Sequence, residues 1–121
     1  MFFAKPAAEA APVAAKPEPS SMISLDPFVV NLADPGGSRY LRVTLGIVVE
    51  GEEHAKELAE DDVTRMRLRS SILEMLAEQT AEQLTTVGGK AELKKAIAER
   101  AMHGAEHLKV SDVLFSEFIV Q

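Results

Sequence analysis

Apolar and polar residues alternate most regularly between Arg39 and Glu50. Leu41, Val43, Leu45, Ile47 and Val49 point one way; Tyr40, Arg42, Thr44, Gly46, Val48 and Glu50 point the other. A period of two belongs to a strand with one face on a core and the other mostly polar. Upstream, residues 23–32 (ISLDPFVVNL) read as one β-branched, apolar strand with Pro27 near its start. Between the two, Asp34-Pro35-Gly36-Gly37 supplies a fixed φ followed by residues free to take positive φ, which predicts a hairpin loop.

The pattern changes to helical spacing at Gly51. From Asp61 or Asp62 onward, Val63, Met66, Ile72, Leu73 and Leu76 mark a long amphipathic helix, and the aspartates sit where carboxylates accept the free amides of a first turn. Thr80 to Gln83 has the spacing of a capping box, which predicts a further short helical turn. Gly88-Gly89 separates off a last helix from Lys90 to about His103, with an apolar stripe of Leu93, Ile97 and Ala101 and Gly104 at its end. Residues 108–121 return to strand chemistry with both alternating sets apolar: Val110, Leu114, Phe118 and Val120 on one face, Val113, Phe115 and Ile119 on the other. Such a strand lies centrally in a covered sheet or meets a partner, and it motivates the expectation of a homo-oligomer. The elements predict an α/β (α+β) domain in ββααβ order, a small mixed or antiparallel sheet of about three strands with helices packed on it.

Composition sharpens this picture. Of 121 residues 46% are apolar but only 5% aromatic, so the core is aliphatic. Residues 4–21 consist almost entirely of Ala, Pro, Lys, Glu and Ser, with prolines at 6, 12, 17 and 19. We read residues 1–21 as an extended linker and 22–121 as the domain. No run of about 18 apolar residues is present, and Phe2-Phe3 is read as the tail of a removed membrane helix or as a remnant. Lys5 and Lys16 balance Glu9 and Glu18, so the whole net charge of −6 falls on the domain, which excludes nucleic acid as a partner. Absence of cysteine excludes disulfides, thiolate metal sites and a cysteine nucleophile.

One pattern points to catalysis. His103-Gly104-Ala105-Glu106-His107 has the H-x-x-E-H order of inverted zinc peptidases, in which two helical histidines hold zinc and the glutamate activates water. Gly104 falls inside it at a helix end, and only the strand residues Asp112 and Glu117 follow as further ligands. The reading that wins is solvated polar residues before a strand. Arg65, Arg67 and Arg69 recur at a spacing that spreads them around a helix, which points to local ion pairs with Asp61, Asp62, Glu74 or Glu78 and secondarily to a neighbouring subunit. Glu52, Glu53, Glu57, Glu60, Asp61 and Asp62 read as a solvated face. No nucleophile elbow, P-loop or calcium loop is present. No residue is assigned a catalytic, cofactor-binding or metal-binding role. No cofactor or small-molecule substrate is expected.

Three blocks resemble the FliL family of flagellar basal-body proteins. They are Asp26 to Leu32 with Arg39 to Leu45; Arg67 to Leu76 with Thr80, Leu84, Gly89-Lys90 and Leu93-Lys94; and Val110 to Gln121. An acidic residue usual after the helix arginine is Ser70 here, and Val87-Gly88 replaces the proline usual before Gly-Lys. The resemblance implies a stomatin-like α/β domain, held in the periplasm by a single-pass helix in the inner membrane, that is not an enzyme. It further implies a homo-oligomeric ring around the stator proteins (MotA/MotB type), supporting torque generation, swimming and swarming. A generic stomatin-like membrane scaffold without a role in motility is the alternative.

Overall fold

A computed structural model describes residues 20–104 and 108–121. Strand β1 (Ser20–Ser24) and strand β2 (Phe28–Asn31) both pair antiparallel with the long β3 (Tyr40–Glu50). Helices α1 (Glu52–Glu60), α2 (Asp62–Ala77), α3 (Ala81–Thr85) and α4 (Gly89–Gly104) follow, and β4 (Val110–Val120) returns antiparallel along the other edge of β3. The sheet is antiparallel throughout, so the α+β expectation holds.

The single strand expected over 23–32 is divided. β1 pairs Ser24 with Gly46, the Leu25 amide donates to the Leu45 carbonyl at 3.2 Å, and β2 resumes with Phe28 opposite Val43. One extra residue has entered the outer strand around Asp26-Pro27, at the proline that cannot donate to the ladder. The insertion shifts the alternation by one. Ile23 and Leu25 before it, and Phe28, Val30 and Leu32 after it, therefore all reach the same side and are buried there.

β4 carries two such insertions. Its register to β3 shifts between Thr44 and Leu45 and again between Val48 and Val49, leaving Ser116 and Ser111 without opposite residues. The two-faced apolar strand expected from the sequence resolves accordingly. Val110, Val113, Phe115, Phe118 and Val120 stand opposite Val49, Ile47, Leu45, Val43 and Leu41 and pack on the core, while Asp112, Leu114, Glu117 and Ile119 face away. Phe115 and Phe118 thus share one face, correcting their expected placement on opposite faces.

All helices cover this core face. Leu58 of α1, Leu68, Ile72, Met75 and Leu76 of α2, Ala81 and Leu84 of α3, and Leu93, Ile97 and Ala101 of α4 are buried against it. Asp61 closes α1 and caps α2: its carboxylate accepts from the Thr64 amide at 3.1 Å and the Thr64 hydroxyl at 2.7 Å. Thr80 and Gln83 form the expected capping box on α3. Gly36 and Gly37 take φ of 94° and 66° in the β2–β3 turn, as the Asp-Pro-Gly-Gly sequence predicts. Asp34 of that turn reaches across to accept from the Ala81 amide at 2.9 Å, joining the hairpin to the start of α3.

Candidate interaction surfaces

The sheet has helices on one side only, so its other face is open. Across it the register sets Met22 beside Val48 and Asp112, Ser24 beside Gly46 and Leu114, and Val29 beside Arg42 and Ile119. Met22, Val29, Tyr40, Leu114 and Ile119 are between 39% and 59% exposed there, too much apolar area on one face to be scattered single residues. In its centre the Arg42 Nε donates to Glu117 Oε1 at 3.0 Å, and the Thr44 hydroxyl reaches the same oxygen at 3.4 Å. Gly46 lies under the Met22 side chain: a Cβ at Gly46 would stand 2.7 Å from the Met22 sulfur. The open face therefore combines an exposed apolar set with the Arg42–Glu117 pair at its centre and the exposed Asp112 carboxylate toward one end.

α2 is amphipathic in an unexpected way. The sequence placed Val63, Met66, Ile72, Leu73 and Leu76 on one stripe; only Ile72 and Leu76 of these are buried, and Leu68 and Met75 join them. Val63, Met66 and Leu73 are 61%, 64% and 41% exposed and form a second stripe on the outward side. A sequence with apolar residues on two sides of a helix does not say which side the sheet takes.

The three arginines of α2 separate by role. Arg65 pairs with Asp62 at 2.8 Å, as expected. Arg69 turns to the backbone instead: its guanidinium lies 4.1 Å from the Phe28 ring centroid and donates to the carbonyls of Asp26 and Pro27 at 2.7 and 2.8 Å. It thus holds the insertion that sets the register of β2. Arg67 is exposed and makes no hydrogen bond or ion pair among the described residues.

Along the outer edge, Lys90 and Lys94 of α4 stand 5.0 and 5.4 Å from the centroids of Phe118 and Phe115, whose rings are 5.3 Å apart. The lysine stems shield the aromatic edge of β4, and their charges stay in water. Sequence reading missed this edge because the bulge that puts both rings on one face carries no local signal.

The acidic residues of α1 and the start of α2 are exposed, and among the described residues no three His, Asp or Glu side chains converge as a metal site requires. His54 lies 3.5 Å from Glu57. His103 is exposed in the last turn of α4, and Glu106 and His107 lie outside the described residues. Hydrogen bonds from the Thr64 side chain and amide hold the Asp61 carboxyl below the usual range. No helix among the described residues is long and apolar enough to cross a membrane.

Residues 22–121 match the family described as flagellar basal body-associated protein FliL. The flagellar protein FliL of Aquifex aeolicus (strain VF5) is 32% identical over 112 residues, covering 92% of this chain and 68% of that protein. The flagellar protein FliL of Escherichia coli (strain K12) is 31% identical, covering 81% of this chain and 63% of that protein. The chain therefore spans about two thirds of the length of these relatives.

Proposed function

The chain belongs to the FliL family of flagellar basal body-associated proteins, and on that premise we propose that it is a non-catalytic accessory component of the motor that binds and supports the stator units. The observation that carries a binding role is the open face of the sheet. A single-layer antiparallel sheet covered on one side leaves its second face to solvent or to a partner, and here that face is apolar around a self-neutralised Arg42–Glu117 pair. A partner meeting it needs an apolar surface over Val29, Leu114 and Ile119, with water or a donor left to Asp112.

The proposal extends to residues 1–19 as a Pro-rich spacer, two residues shorter than the sequence suggests because Ser20 and Ser21 pair in β1, between this domain and a single-pass inner-membrane anchor, with the domain in the periplasm and arranged as a homo-oligomeric ring around the stators. Support for torque, swimming and swarming is the role such a ring would have. In β4 both phenylalanines face the helices and the outward apolar set is Leu114 and Ile119; the ring itself is supported by the family likeness.

Photo-crosslinking from Leu114 or Ile119 in motile cells tests the assignment. Recovery of stator proteins is the expected product. Efficient crosslinks to other membrane proteins, with stator proteins absent, would sink the motor role and favour a general scaffold.

A further inference from the structure

Five positions on the outward side of α2, Val63, Met66, Ser70, Leu73 and Ala77, are exposed and alternate three and four residues apart. At 3.6 residues per turn they fall within an arc of about 80°, on the far side of the helix from Leu68, Ile72 and Met75. This is the spacing of a helix-pairing seam. The residues flanking the seam decide what fits it. Arg67 and Glu74 lie on one side, both exposed and without an ion pair or hydrogen bond among the described residues. Asp62 and Arg69 lie on the other, and both are occupied: Asp62 by Arg65, Arg69 by the Asp26 and Pro27 carbonyls.

We propose that α2 packs antiparallel against α2 of a second copy of this chain across a two-fold axis. With Ser70 layered on Leu73 of the second copy and Met66 on Ala77, small side chains meet large ones. In that register Arg67 comes opposite Glu74 of the second copy, and Glu74 opposite its Arg67, so one pair is made twice by symmetry. Sliding to the next layer in one direction sets Arg67 against Arg67, and in the other Glu74 against Glu74. The free charges therefore select one register out of three.

A parallel pair would instead stack Met66 on Met66 and Ser70 on Ser70. Its flanking contacts would need Asp62 and Arg69, which are already held within the chain. The antiparallel contact is confined to one helix from each copy, so it forms a weak dimer that tethering to a common membrane would strengthen. It leaves the open sheet face free, does not depend on the motor assignment and, being two-fold and closed, is a different contact from the head-to-tail one that would build a ring.

Sedimentation equilibrium of the 121-residue chain up to about millimolar tests the pairing. A reversible dimer is expected, lost in Met66→Glu. Arg67→Glu and Glu74→Arg each turn two attractive pairs into repulsive ones and should each weaken the dimer about tenfold. The double swap Arg67→Glu/Glu74→Arg restores opposite charges only in the antiparallel register, so it should return the dissociation constant to within about twofold of the parent. All these sites are exposed, and unchanged thermal midpoints will show that the monomer fold is intact. A chain monomeric throughout, a dimer insensitive to Met66→Glu, or a double swap as weak as the single changes overturns the pairing.

Discussion

Arg69 does more for the fold than its exposed neighbours, because it joins two elements far apart in sequence at the point where the outer strand is irregular. Its guanidinium offers two donors to adjacent carbonyls of the insertion and a flat face to Phe28, a combination that the point charge of lysine does not reproduce. Arg69→Ala should therefore cost about 2 kcal/mol in urea unfolding, with Arg69→Lys recovering less than half. A loss below about 0.5 kcal/mol would show that the bulge holds itself. Asp61 offers a second test at this scale. Its native carboxyl titrates below the usual range, so the native state binds its proton less readily than the unfolded chain does. The stabilisation it provides is fully present above the unfolded value and is lost as pH falls through the lowered native one. Asparagine keeps the cap but not the charge, so Asp61→Asn should unfold with a flatter acid dependence below about pH 4. Superimposable acid curves for the two proteins would refute this.

At the scale of elements, the irregularities of the strands separate what the sequence displays from what it conceals. The alternation in β3, the Asp-Pro-Gly-Gly turn, the capping box at Thr80 and the Leu93, Ile97, Ala101 stripe each state their structure locally, and each forms as read. The insertions in β4 do not, because neither Ser111 nor Ser116 is a glycine or proline that would mark a break. A regular period of two carried through them puts Phe115 and Phe118 on opposite faces. An uncovered second face follows from helices on one side of the sheet, but which apolar residues lie on it does not, since that depends on those shifts. Deleting Ser116 removes the extra residue while keeping every other β4 side chain on its present face, so this variant should fold, at a cost of about 1 kcal/mol. Deleting Leu114 instead turns Val110 and Val113 outward and should abolish cooperative unfolding. Equal losses for the two deletions would contradict the register described. The α3–α4 junction tests backbone closeness in the same way. A Cβ on Gly89 would collide with the Gln83 carbonyl oxygen, whereas one on Gly88 would meet no atom and only strain a φ of 86°. Gly89→Ala should thus be destabilising by more than the roughly 1 kcal/mol of Gly88→Ala.

On the scale of the whole molecule, the fold presents two apolar surfaces pointing in different directions: the open sheet face, and the α2 seam on the helical side. A domain that keeps both uncovered has room for two kinds of contact at once, one with its own copies and one with a different protein. Substitutions can separate them. Leu114→Arg and Ile119→Arg introduce charge at positions 44% and 39% exposed, on the side of β4 away from the helices. Neither touches the core, so urea unfolding should change by less than about 0.5 kcal/mol. If this face meets the stator, a desolvated arginine without a partner should weaken that contact by tenfold or more, and swimming and swarming should fall in cells that still accumulate the protein normally. Met66→Glu, on α2, should leave stator crosslinking in place while removing self-association. The opposite pattern, with motility indifferent to Leu114→Arg and Ile119→Arg but lost with Met66→Glu, would move the partner surface from the sheet to the helices. The sheet would then need another reason to expose Met22, Val29, Leu114 and Ile119 together.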